Sequence, residues 1–167
     1  RKWRERGLSS MREGLKKGRS IAAITMDLER FFHNVNPAFL LRKAFLQTHN
    51  IQLSNQERLF TSQFILALKS WYDTTPDFSP KTKSGLPIGL SASKIISNVL
   101  LTEFDRNVVL KLKPVFYGRY VDDVFLVLEP RKPINNGRQV LQLIASKMAP
   151  LIVFNERSRS PSLDFKP

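Results

Sequence analysis

The chain has 167 residues, 42% apolar and 10% aromatic, with 27 basic residues against 14 acidic ones for a net charge of +13. That is apolar material enough for the core of one ordinary domain, or one part of a larger protein, and it excludes wholesale disorder. Cysteine is absent and the two histidines, His33 and His49, lie sixteen positions apart, which excludes disulfides and thiolate metal sites and argues against zinc.

Any metal ion must therefore sit on carboxylate oxygens, the chemistry of magnesium or manganese. A cysteine-free chain fits a reducing compartment, so the expected location is cytoplasmic. No signal peptide opens it and no apolar run approaches a membrane span, so no membrane partner is expected. It begins RKWRER without an initiating Met, as a segment of a longer protein would. Residues 1–20 hold eight bases and two acids. That cluster is either a solvated surface or a footprint for a phosphate backbone.

In chain order, residues 8–18 are weakly helical and lead into Ile21-Ala22-Ala23-Ile24-Thr25-Met26, a run apolar almost throughout. It predicts a strand covered on both faces, ending at Asp27. Pro37 suits the first turn of a helix capped by Asn36; this helix should span residues 37–48 and turn Leu40, Leu41, Ala44 and Phe45 inward. A second helix opens on the capping box Ser54-Asn55-Gln56-Glu57, with Phe60, Phe64, Ala67 and Trp71 as its apolar stripe. Residues 73–90 hold three prolines (Pro76, Pro80, Pro87) and two glycines (Gly85, Gly89), so they predict a loop.

A long helix should follow from about Ser91 to Lys111, with Ile96, Leu100, Phe104 and Val108 inward and Pro114 beyond its end. Val115–Val121 and Val124–Leu128 are β-rich runs separated by two residues, which predicts a hairpin. Pro130 and Pro133 break the chain. Residues 136–149 form a helix with Val140, Leu141, Ile144 and Met148 inward; Leu151–Phe154 is a short strand, and SPSLDFKP begins another. This order predicts an α+β fold, an antiparallel sheet with helices on one face, and the βαββαβ order of a ferredoxin-like fold suits it.

Asp122 and Asp123 stand at the tip of the predicted hairpin. Asp favours turns, so the pair alone reads as a turn. Asp27 changes the weighing, because it too ends an apolar strand and would meet the hairpin tip if the strands are neighbours. Two carboxylates about 4 Å apart repel by about 4 kcal/mol at an effective dielectric near 20. A fold does not gain from such crowding, whereas divalent cations reverse its sign. Three carboxylates without His or Cys suit two magnesium ions, which activate a hydroxyl and stabilise a departing pyrophosphate.

Three blocks in order then resemble the reverse transcriptases, in particular the prokaryotic retron, group II intron and antiviral-defence types. Met26-Asp27-Leu28-Glu29-Arg30-Phe31-Phe32 is similar to the first palm motif. Gly85-Leu86-Pro87-Ile88-Gly89-Leu90-Ser91-Ala92-Ser93, continuing to Asn98 and Phe104-Asp105, resembles the second. Arg119-Tyr120-Val121-Asp122-Asp123 resembles the third, and Leu151-Ile152-Val153-Phe154-Asn155-Glu156-Arg157-Ser158 is a weaker match to a fourth. The resemblance implies a ferredoxin-like polymerase palm over residues 21–158, preceded by a basic lead-in at 1–20 that could close a fingers region. Residues 159–167 would then start a strand towards a thumb.

The resemblance also implies roles. Asp27 and Asp122 would bind two Mg²⁺ ions (or Mn²⁺), with Asp123 a weaker or indirect ligand and the Leu28 carbonyl completing one shell. Phe32 would lie under the incoming sugar and exclude a ribose 2′-hydroxyl. Tyr120 and Val121 would support the primer end, while Gly85, Pro87 and Gly89 would shape a loop against template and nucleotide. Bland readings exist for each: core packing for Phe32, strand packing for Tyr120 and Val121, a plain turn for the glycines and proline. Asn98 and Asp105 read as structural, Glu29 and Arg30 as a solvated face, and Lys94 as an ordinary surface lysine.

The implied activity is RNA-directed DNA polymerisation, with an RNA template, a DNA primer or RNA–DNA hybrid, and deoxynucleoside triphosphates as partners. Without recognisable fingers or thumb motifs, the segment alone is expected to be inactive. Ile88 stands where the family usually has glutamine, so side-chain contacts to template or nucleotide must differ there. Other readings are untemplated or protein-primed DNA synthesis in antiviral defence, a replicase copying RNA into RNA, and a non-catalytic RNA-binding scaffold.

Overall fold

The computed structural model describes residues 2–75, 84–132, 134–155 and 162–165. Pro76, Pro80, Pro133 and the Glu156-Arg157-Ser158 end of the fourth block lie outside the described residues. The chain forms two compact units, residues 1–28 with 100–167, and residues 29–99.

The first unit is built on a three-stranded antiparallel sheet in the order β1–β3–β2, where β1 is Ala22–Asp27, β2 Phe116–Tyr120 and β3 Asp123–Leu128. β2 and β3 are the arms of the expected hairpin. Tyr120 pairs with Asp123, so Val121 and Asp122 alone make the turn. The register sets Ala23 opposite Val127, Thr25 opposite Phe125 and Asp27 opposite Asp123. On the other side Phe116 faces Val127 and Gly118 faces Phe125. Side chains alternate along a strand, so these positions share one face of the sheet.

The helix α1 (Lys2–Lys16) packs on β2 and β3. Two glycines let it approach. A Cβ on Gly118 would come within 2.7 Å of the Trp3 ring, and one on Gly7 would run into the rings of Phe125 and Phe116. The opposite face of β3 carries Val124, Leu126 and Leu128, and every residue from Val124 to Leu128 is buried. β3 is therefore the strand covered on both faces. The apolar run in β1 predicted that for β1, but Ala23, Thr25 and Asp27 are exposed. The reason is position: among the described residues β1 pairs with β3 alone, at the edge of the sheet.

The helix expected over residues 91–111 is broken into α5 (Ser91–Leu100), α6 (Thr102–Asn107) and one π turn at Val108–Leu112. Ile96, Phe104 and Val108 are buried as expected; fully buried Leu101, at the break, takes the inward place expected of Leu100. α7 (Gly137–Met148) is capped by Asn136, whose Oδ1 accepts from the Gln139 N–H at 3.0 Å, and buries Val140, Ile144 and Met148. β4 (Ile152–Asn155) pairs antiparallel with β5 (Ser162–Phe165) in a separate two-stranded sheet. A complete βαββαβ order would put β4 in the main sheet; here β5 meets its backbone hydrogen-bonding groups instead.

In the second unit, α2 (Phe31–Asn34) precedes a 3₁₀ turn at Pro37–Leu41 and α3 (Lys43–Thr48). Asn36 caps as its sequence predicts, its Oδ1 accepting from the Ala38 N–H at 3.0 Å. The single helix expected over 37–48 is divided by extended Arg42, and the buried residues are Pro37, Phe39 and Leu46 rather than Leu40, Leu41, Ala44 and Phe45. α4 (Asn55–Thr74) opens on the expected capping box: the Ser54 N–H donates to Glu57 Oε2 at 2.8 Å and the Glu57 N–H to Ser54 Oγ at 3.3 Å. Its buried face is Leu68 and Tyr72, whereas Phe60 is 74% exposed and Ala67 is exposed too. Apolar residues surround much of this helix, so the pattern permits more than one inward face.

Candidate active site

The three acids predicted as a site all belong to the first unit, at one end of its sheet. Strand pairing places Asp27 directly opposite Asp123, and Asp122 precedes Asp123 in the turn. The Leu28 N–H donates to the Asp122 carbonyl at 3.3 Å, which stitches the end of β1 to the turn. Asp27 is exposed, yet local desolvation and then the charges of Asp122 and Asp123 hold its carboxyl above the ordinary carboxylate range. Desolvation leads, and the two like charges add to it in the same direction.

Side-chain directions are less uniform than the backbone. Asp123 Oδ2 meets Arg4 of α1 at 3.0 Å, across a half-exposed ion pair. Among the described residues, no three His, Cys, Asp or Glu side chains close around one point. The donor set nevertheless fits hard divalent cations. It offers only carboxylate and carbonyl oxygens, two carboxylates are set opposite each other by strand register, and the third is next in the chain.

The turn that carries Asp122 is held from behind. Val121 has φ of +58°, a conformation that a β-branched side chain resists and that glycine would adopt freely. Strain of this kind typically costs about 1–3 kcal/mol. The Val121 carbonyl accepts from Arg119 Nη1 at 2.7 Å. Arg119 in turn grips Asp105 of α6 with both edges of its fork, Nε to Oδ1 at 2.8 Å and Nη2 to Oδ2 at 2.6 Å. The Tyr117 hydroxyl also donates to Asp105 Oδ1. Burial, then the bond to Asp105, pushes the Tyr117 phenol well above its ordinary range. For Arg119, burial works against the charge, but the hydrogen bond and charge of Asp105 outweigh it and raise the pKa.

Sequence reasoning missed this network and treated Asp105 only as structural. A signal existed. Tyr117 and Arg119 are two apart on β2 and so share a face, which gives a buried-side arginine that needs an acid. Arg4 was read as one more base in the lead-in, and nothing in its local pattern marks it as the partner of Asp123.

The remaining predicted residues divide between the units. Tyr120 and Val121 stand beside the acids, Tyr120 being 61% exposed. Phe32, Pro87 and Gly89 belong to the second unit. There the Leu86 N–H donates to the Phe32 carbonyl at 2.7 Å, tying the Gly85–Gly89 loop to the segment after Asp27. Phe32 is half-buried against Phe31, with ring centroids 5.9 Å apart. Gly89 has φ of +93° with nothing within 4 Å of a built Cβ, so its backbone angle and not crowding requires glycine. Ile88 is 70% exposed.

With Asp122 in a two-residue hairpin turn and Asp27 opposite Asp123 on the adjacent strand, three acids meet at one end of an antiparallel sheet in an α+β fold. A family model described as reverse transcriptase (RNA-dependent DNA polymerase) matches residues 4–152, and the chain belongs to that family. Its members are nucleotidyltransferases that use divalent metal ions. The retron Ec83 reverse transcriptase of Escherichia coli is 26% identical over 139 residues, which cover 80% of this chain and 38% of that protein. The chain thus spans well under half the length of that relative. No solved structure matches it.

Proposed function

We propose that this chain is the catalytic palm of an RNA-directed DNA polymerase, adding deoxynucleotides to a primer 3′-hydroxyl along an RNA template. The observation that carries the proposal is the register setting Asp27 opposite Asp123, with Asp122 beside it. The net charge of +13 supports a nucleic-acid partner.

Asp27 and Asp122 would hold two Mg²⁺ ions, with Asp123 a weaker ligand because Arg4 already neutralises it in the free chain. When bound, such ions lower the pKa of the attacking hydroxyl and stabilise the leaving pyrophosphate. The Leu28 carbonyl would add an oxygen at the strand end. Tyr120 and the Val121 turn would support the primer terminus. Phe32 would exclude a 2′-hydroxyl by the bulk of a rigid ring, and the loop with Pro87 and Gly89 would lie along template and nucleotide.

Primer extension by the full protein tests this. Template-dependent incorporation of deoxynucleotides should require Mg²⁺ and fall at least about 100-fold in Asp122→Asn and in Asp27→Asn, in the range lost with a key electrostatic contact to the transition state. Equal activity in wild type and variants sinks the assignment. Synthesis without template would favour the untemplated reading, and efficient ribonucleotide use would count against Phe32 as a gate.

A further inference from the structure

The turn that presents Asp122 is built on a residue ill-suited to its backbone. Two-residue hairpin turns with positive φ at the first central position favour glycine there, and this one has Val121. The carbonyl of that residue is held by one arm of Arg119, whose Nη1 donates to it at 2.7 Å. That arm is aimed by a second contact. The fork of Arg119 is fixed on Asp105, the two side chains being 9% and 33% exposed. The fork is completed by Tyr117 on the same carboxylate. A surface ion pair would contribute little to any of this. A nearly buried, bidentate guanidinium has its geometry set, and its Nη1 donors point where the fork dictates.

We infer that Asp105 and Arg119 are positioning residues of the metal site, acting through the Val121 carbonyl to hold the peptide immediately before Asp122. The inference rests on the metal-site reading above. Neither residue is one of the three acids of the site. Asp105 fixes Arg119, Arg119 fixes the carbonyl of a strained residue, and the next Cα carries the acid. α6 thereby reaches the site through two side chains. The same chain of contacts accounts for how a valine is held where glycine would be free of strain, because the clamp supports the conformation that glycine would need no help to adopt. The clamp and the strain are therefore coupled, and relieving the strain should make the clamp dispensable.

The test is a double-variant comparison on the full protein, reading Mn²⁺ affinity by electron paramagnetic resonance and the Mg²⁺ concentration for half-maximal primer extension. Arg119→Lys keeps the charge but loses the fork. It should weaken Mn²⁺ binding roughly 10–100-fold, as loss of outer-shell partners does at metal sites, and raise the Mg²⁺ requirement in parallel. In a Val121→Gly background the same change should cost less than about threefold, since glycine adopts positive φ unaided. An equal loss in both backgrounds, or no loss in either, overturns the inference. Should Arg119→Lys fail to fold in urea titration, Tyr117→Phe is compared in the same two backgrounds, with a loss of about two- to fivefold expected from weakening one outer-shell contact. A loss there that Val121→Gly does not relieve overturns the inference equally. Wild-type protein that binds no Mn²⁺ saturably and shows no Mg²⁺-dependent extension overturns the site assignment itself, a result distinct from either.

Discussion

The two strand ends that carry the acids are held in opposite ways. Asp122 sits in the hairpin turn and Asp123 begins the central strand, whose residues from Val124 on are all buried. Their turn is gripped by Arg119, itself locked on Asp105, and Asp123 is paired with Arg4. Asp27 ends an edge strand exposed at every second residue. No hydrogen bond or ion pair reaches its carboxylate among the described residues, and its neighbours are negative. One half of the acidic cluster is braced, and the other is an acid repelled by the charges beside it. The difference teaches that an acidic site need not be uniformly costly to the fold. The strain is compensated on the hairpin side, while the repulsion is left on the open side, where a divalent cation would relieve it.

Breaking the braced half should have the largest effect on stability. Asp105→Ala leaves the nearly buried Arg119 guanidinium without its fork and should cost about 2–3 kcal/mol in urea titration, below the usual cost of breaking a fully buried pair because Asp105 is partly exposed. A loss within error of zero would mean that solvent, and not the ion pair, supports the turn.

Changing the open half should have a smaller effect of opposite sign. The Asp27 carboxyl is raised in the folded chain, so its contribution to stability is full below the unfolded carboxylate pKa and is lost as pH rises through the folded value. Asp27→Asn removes the repulsion. It should therefore stabilise the metal-free protein at neutral pH by up to about 1 kcal/mol, the scale of exposed charge pairs, with the gain vanishing below the carboxylate range. Metal binding should weaken over the same window as Asp27 takes up its proton. A gain independent of pH would assign the effect to something other than charge.

The same contrast governs what the sequence disclosed. The hairpin was legible because two β-rich runs left only Asp122 and Asp123 between them, one residue beyond the observed Val121–Asp122 turn, and the caps at Asn36 and Ser54 were legible because capping is local chemistry. The acids were legible as a set because each stands at the end of an apolar run. Long-range choices were not. α4 carries apolar residues on several sides, so periodicity alone set Phe60 inward where the structure exposes it. The coverage of β1 depends on its place at the sheet edge, which no local pattern encodes. The clamp joins Asp105 to Arg119 across fourteen residues and two elements, and the Arg4–Asp123 pair spans most of the chain. Such partners follow from the fold and become visible only with it.

If Asp27, Asp122 and Asp123 hold divalent ions at one end of the sheet, a reactive ion placed there should mark them. Fe²⁺ substituted for Mg²⁺ in the full protein, with peroxide added, cuts backbone close to where the ion sits, and mass spectrometry maps the cuts. The account predicts cleavage clustered at residues 27–28 and 121–123, competed by Mg²⁺ and lost in Asp122→Asn. Cuts that fall elsewhere, or that persist in Asp122→Asn, would contradict it.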